Sequence, residues 1–320
     1  MHNKKSLYFY IAVPVLIALI LAILFYDRYQ RTQFLSKYSS EDTPVATNND
    51  TNLPTIYCVG DSITLGANDT KSYPEYLQDL VSNEITVLGD NRINSAALAI
   101  KLGNQDVYVN NLTIPSSDEE VAITLYNENG EVQDAILNSQ TGIDSCIINN
   151  ITGSIRYDAN TNQLLFKRLE AGSSTMITTL TKVEITKPEI AQDNILILFT
   201  GSYEESIQGS LVNYQNQILS AFNTDQYIVV SLTANDRNST NNLLATTYGQ
   251  HYLDFKNYLL SDGLNDAKLT PTADDQASIA SGNVPASLLI DGLNGNNYYN
   301  QLLANQLFNK LTELGYLTNN

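Results

Sequence analysis

The sequence predicts an α/β fold: a parallel sheet covered by helices and interrupted by a small β-rich insert. Three observations predict it. Short apolar runs alternate with helix-period patterns over 55–104 and 188–320, and strands alternating with helices imply a parallel sheet with both faces covered. The first run, Ile56–Val59, stops at Gly60-Asp61-Ser62, as a buried strand does when it delivers a hydroxyl to a turn at its carboxyl end. Over 105–187 the rhythm breaks into short alternating runs split by NENG and DANTN turns.

The elements follow in order. Leu7–Tyr26 is a 20-residue run without charge, preceded by Lys4 and Lys5 and followed by Arg28 and Arg31. It is long enough to span a bilayer core of ~30 Å. Charge alone does not set its orientation. Residues 1–31 are expected to be a cytoplasmic tip and uncleaved signal anchor; a cleaved signal peptide is the alternative. The protein is then single-pass, bound to the cell membrane by its N-terminal helix, with its body extracytoplasmic. Residues 32–54 are polar and patternless and read as a tether.

Strands are expected at Thr55–Val59, Ile85–Leu88, Asn194–Thr200, Gln226–Thr233 and His251–Phe255. Helices are expected at Tyr73–Val81, Leu211–Phe222, Asn241–Tyr248 and Tyr299–Leu314; the last has Leu302, Leu303, Leu307, Leu311 and Leu314 at helical spacing. These make an α/β domain from 55–104 and 188–320, with 105–187 a β-rich insert domain.

Composition narrows the function classes. The chain of 320 residues has a net charge of −17. Residues 1–31 hold four basic residues and Asp27, so the remainder carries 13 basic and 33 acidic residues, or −20. So acidic a body repels anionic polymers, and no nucleic-acid partner is expected. Cys58 and Cys146 are too few for a disulfide framework, and Cys58 reads as a small buried apolar residue. No Cys/His cluster at ligand spacing exists, so neither metal nor cofactor is expected.

Gly60-Asp61-Ser62-Ile63-Thr64 resembles the first block of the SGNH, or GDSL-type, serine esterase family, and Asp291-Gly292-Leu293-Asn294 before the last helix is similar to its D-x-x-H block. The stretch LTPTADDQASIASGNVPASLLIDGLN and the β insert resemble a bacterial membrane-anchored subgroup. The resemblance covers 55–104 and 188–316. It implies a flavodoxin-like sheet, Ser62 as nucleophile and Asp291 as the acid of the acid–base pair. Its substrate would be a small acyl ester or an O-acylated cell-surface glycan.

The match departs from the family at other blocks. Asn294 stands where the general-base His belongs. Tyr203 follows Gly201-Ser202 where the family has Gly-x-Asn. The second block reads LGDNRIN; Gly89 fits its first glycine, and Asn91 or Arg92 replaces the donor glycine. Oxyanion or cleft candidates are therefore Gly89, Asn91, Gly201, Tyr203 and Asn294.

An asparagine amide does not titrate near neutral pH and cannot take a proton from Ser62. Of the two histidines, His2 precedes the apolar run and His251 opens a strand, at the rim opposite Ser62. Asp61 is a second candidate base if its pKa is raised. Tyr203 is either an aromatic wall or a replacement oxyanion donor. Tyr298-Tyr299 and the Asn-rich tracts are solvated or packing residues, or sugar contacts. Two functions compete: an ester hydrolase with lost or weakened activity, and a non-catalytic glycan-binding or scaffold module.

Overall fold

A computed structural model describes residues 53–67, 70–204 and 209–317. The anchor, His2 and all of the tether but residues 53–54 fall outside them; among the described residues no helix is long and apolar enough to cross a membrane.

The chain begins with β1 (Thr55–Gly60), α1 (Ser62–Leu65), α2 (Tyr73–Gln78), β2 (Ile85–Gly89) and α3 (Ser95–Lys101). The insert follows: β3 (Val107–Val109), β4 (Leu112–Ile114), β5 (Val121–Ile123), α4 (Ala135–Asn138), β6 (Ile143–Ile148), β7 (Ile151–Asp158), β8 (Gln163–Arg168), β9 (Thr175–Ile177) and β10 (Thr181–Ile185). Then come β11 (Asn194–Phe199), α5 (Ser210–Phe222), β12 (Tyr227–Val230), α6 (Asn238–Tyr248) and β13 (Tyr252–Leu253). A helical stretch runs through α7 (Phe255–Tyr258), a π turn and α8 (Leu264–Asp266); α9 (Ala273–Ala280) and α10 (Asn297–Glu313) complete the chain.

Five strands form a parallel sheet in the order β13-β12-β11-β1-β2. Numbered within that sheet, the order is 2-1-3-4-5. All six residues of β11 and the last five of β1 are buried, as strands are when both sheet faces are covered. Each fully buried Ile, Leu or Val contributes about 1.5–3 kcal/mol. The helix α10 packs Tyr299, Leu303, Leu307 and Leu311 inward and lies on α2, while α3 lies on α5.

The insert strands form a separate antiparallel six-stranded sheet, β3-β10-β6-β7-β8-β5, and a two-stranded ribbon, β4-β9. Asn149 and Asn150 join β6 to β7 with φ of 48° and 63°, the positive values a type I′ hairpin turn requires. Both sheets belong to one compact unit. Hydrogen bonds tie them together: Asp90 Oδ2 accepts from Lys101 Nζ at 2.8 Å and from Thr141 Oγ1, and Asn94 N donates to Ser139 Oγ at 3.0 Å. Within the insert, Glu120 accepts from Arg156 Nε at 2.7 Å.

Several elements differ from the sequence expectation. Gln226–Thr233 shortens to Tyr227–Val230, because the Asn241 side chain takes both the N–H and the C=O of Leu232 at 2.8 Å. His251–Phe255 shortens to Tyr252–Leu253. His251 lies in a 3₁₀ turn, and Asp254 caps α7 by accepting from Asn257 N at 3.3 Å. The helices α3 and α9 were not anticipated. Ser95–Ile100 are all buried, so α3 shows no one-sided apolar periodicity.

Candidate functional site

The site is built at the carboxyl rim of the parallel sheet. The strand β1 delivers Gly60, whose place admits no side chain: a Cβ would lie 2.2 Å from Thr64 Oγ1 and 2.3 Å from Phe199 O. Asp61 then caps α1, its Oδ1 accepting from Ile63 N at 3.0 Å. Asp61 is fully buried. Burial pushes its carboxyl up to about 7, with the Glu204 charge adding to the rise, while the Ile63 amide and Ser202 oppose it. Its Oδ2 has no well-aligned partner among the described residues, and no hydrogen bond joins Asp61 to the Ser62 hydroxyl. The geometry therefore gives Asp61 a capping role and does not place it as a base.

Ser62 is 6% exposed, and its hydroxyl sits in a chain of hydrogen bonds whose direction is fixed by chemistry. Asp291 Oδ2 lies 2.7 Å from Asn294 Nδ2. A carboxylate only accepts, so the amide nitrogen faces Asp291 and the amide oxygen faces Ser62. Ser62 Oγ donates to Asn294 Oδ1 at 2.9 Å. Its one proton is then used, so Tyr203, whose hydroxyl is 2.8 Å away, donates to Ser62 Oγ. The order is Tyr203 to Ser62 to Asn294 to Asp291. The structure thus brings four of the sequence candidates into one cluster.

Each neighbour is held from its own element. Gly201, at φ 127°, turns the chain at the end of β11 and sets Tyr203 over Ser62; a Cβ there would meet Leu211 and Leu232 at 3.0 Å. Tyr203 is half-buried. Burial first, and the charges of Asp61 and Asp291, push its phenol up, against Ser62 and Arg92, so it stays a donor. Asp291 is exposed. Desolvation raises its pKa, but hydrogen bonds from the Asn294 N–H at 2.8 Å, Asn294 Nδ2 and the Leu293 N–H at 3.1 Å outweigh that and hold it below the usual carboxylate value.

Two candidates do not join the cluster. Gly89 faces Gly60 across the sheet, where a Cβ would lie 2.2 Å from Gly60 O; it is a close-packing position. Asn91 is exposed, its N–H donates to Asp90 Oδ1, and it makes no hydrogen bond to Ser62, Tyr203 or Asn294. Arg92 has φ 58°, a backbone conformation that favours glycine, and its charge acts on Tyr203. Of the two replacements for the donor glycine, Arg92 carries the glycine-like backbone.

His251 is remote from the cluster. It stacks on Tyr227 at 4.1 Å, and its Nδ1 lies 3.1 Å from Tyr227 O and 3.0 Å from Tyr316 Oη, at the amino end of the sheet. Cys58 and Cys146 are buried free thiols, each pushed up to about 12 by burial. Among the described residues no group of three His, Cys, Asp or Glu is placed to hold a metal ion. Tyr299 is buried packing and bonds Thr233 Oγ1 at 2.9 Å, while Tyr298 stays exposed.

Asp275 is fully buried beside the loop that follows α9. It caps α9 by accepting from Thr272 N at 2.9 Å and Oγ1 at 2.7 Å. It also accepts from Ser287 N at 2.7 Å and Oγ at 2.8 Å. Asn296 Nδ2 in turn holds Ser287 O at 2.8 Å, so Asp275 anchors the loop that presents Asp291 and Asn294. Burial raises the Asp275 carboxyl, but the Ser287 and Thr272 bonds overcome it and lower it from 3.8 to about 2. A depressed carboxylate stabilises above its unfolded pKa and loses that contribution as pH falls through the folded one. Asp275→Asn should therefore cost about 2 kcal/mol at pH 7. In urea melts the gap to wild type should close between pH 4 and 2. A pH-independent gap would contradict the assignment.

The chain matches no family model and no curated protein.

Proposed function

We propose that the chain is a degenerate SGNH-type ester hydrolase, held outside the cytoplasmic membrane by its N-terminal helix, which keeps the cleft of an acyl-ester hydrolase with little or no turnover. One observation carries the reading: the Asn294 amide sits between Ser62 Oγ and Asp291, 2.9 Å from one and 2.7 Å from the other, in the place of a base. The sheet order 2-1-3-4-5 is that of a flavodoxin-like fold, with the cluster at the carboxyl ends of the strands where such folds bind ligands.

The chemistry of the cluster supports loss of activity. In a Ser-His-acid machine the base takes the serine proton and returns it to the leaving group. Removing the base alone lowers kcat by about 10⁶ in a serine hydrolase. Asn294 accepts the Ser62 hydrogen bond but cannot take the proton. Tyr203 adds a second restraint by donating to the lone pair that would attack. Ser62 N–H, unpaired among the described residues, would be the oxyanion donor that remains.

What the cluster retains is a set of uncharged donors and acceptors on Tyr203, Ser62 and Asn294, with Asp291 and the Arg92 charge near them. That set suits an uncharged polyhydroxylated ligand such as a cell-surface glycan, whose ester an active ancestor would have cleaved. The body at −20 disfavours an anionic polymer. The test is acyl-ester turnover by wild type and by Ser62→Ala, which the reading expects to differ by less than tenfold.

A further inference from the structure

We propose that the groove between α10 and the α7–α8 stretch is a binding site for a neutral glycan, separate from the Ser62 cluster. The groove encloses about 590 Å³, within the ~300–1,000 Å³ of small-ligand sites. It runs beside Leu302 to Asn309, roughly 8 to 18 Å along α10 from its first residue. The proposal stands whether or not Ser62 turns over an ester.

Tyr258 supplies a stacking wall. Its hydroxyl donates to Asp266 Oδ2 at 2.8 Å. Its ring stacks on that of buried Phe255, with centroids 6.0 Å apart and 22° between the planes. Phe255 therefore backs one face of a ring that lines the groove. A pyranose packs its C–H groups on such an aromatic wall and meets the polar tip with its hydroxyls. Phe308 and Leu80, which is 41% exposed, extend the apolar part of the lining.

The polar part selects the ligand. Asn305 and Asn309 lie one turn apart on α10, exposed and lining the groove, and their side chains make no hydrogen bond among the described residues. Each amide offers two donors and an acceptor, which suits hydroxyls that both donate and accept. The two charges of the lining are Asp266 and Lys268. Asp266 is engaged by Tyr258 and by Asn265 Nδ2 at 3.3 Å. Lys268 stands at φ 56°, where a helix end usually has glycine. With one anion and one cation, the wall favours neither sign of ligand. The −20 of the body then opposes acidic glycans.

Calorimetric titration of the full chain, in a detergent without a sugar head group, with tetraoses of glucose and of N-acetylglucosamine tests this. At least one tetraose should bind with a Kd of about 1 mM or tighter. Tyr258→Ala and the double variant Asn305→Ala, Asn309→Ala should each weaken it by about tenfold or more. The double variant alters only exposed side chains, so it decides the matter if Tyr258→Ala does not fold. A loss in these variants identifies this groove and not the Ser62 cluster, whose residues they leave in place. Binding of neither tetraose, or undiminished binding in the double variant, would overturn the site. Equally tight binding of a tetragalacturonate would overturn the choice of a neutral glycan.

Discussion

The double variant Asn294→His, Tyr203→Asn is expected to hydrolyse short-chain aryl esters at least 100-fold faster than wild type, and to lose that gain when Ser62 becomes Ala. Asn294 already bridges Ser62 Oγ and Asp291, so an imidazole at this position has its acid partner in place. Restoring a base removes the largest obstacle to acyl transfer. An imidazole reaches farther from the backbone than an amide, so the loop must yield; Gly292, at φ 84° with nothing within 4 Å of its Cβ position, is free to adjust. Tyr203→Asn frees the Ser62 lone pair and returns an oxyanion donor, worth about 10²–10³ in kcat. Asn294→His alone should gain less, because Tyr203 still donates to Ser62. A double variant that folds, binds substrate and remains at the wild-type rate would mean that the cleft no longer has hydrolase geometry.

Gly60→Ala is expected to be strongly destabilising, costing about 4 kcal/mol or more. The added carbon would lie 2.3 Å from the carbonyl of Phe199 on β11, and that neighbour is backbone in a buried central strand. Nothing there yields without moving the sheet. Gly130→Ala is the control: φ is 79° but nothing lies within 4 Å, so it should cost only the ~1–2 kcal/mol of a left-handed residue. Urea midpoints of the two variants check the contrast. Equal losses would show that the β1–β11 contact is looser than described.

The strand-to-turn delivery of Ser62 was legible because the apolar run ends abruptly at a glycine. The pairing of Asp291 with residue 294 was implied by the resemblance to the D-x-x-H block; in the structure the Asn294 N–H and side-chain amide make it. The Ser62–Tyr203 bond was not legible: it joins residues 141 apart and depends on the turn at Gly201. The helix α3 escaped because its residues are buried on all sides. The role of Asp275 was not legible, because Ser287 reaches it only after the chain has folded back. The shortened strand at Gln226–Thr233 reflects competition from the Asn241 side chain, which pattern reasoning does not see.

The measurement that tests the central reading most directly is the turnover of a short-chain aryl ester by wild-type protein and by Ser62→Ala, followed into the pre-steady state. The account predicts no burst of released alcohol and steady rates within tenfold of each other, because Ser62 without a proton acceptor adds little to catalysis. A stoichiometric burst in wild type, abolished in Ser62→Ala, would contradict it and would require a titratable base to reach the Ser62 hydroxyl.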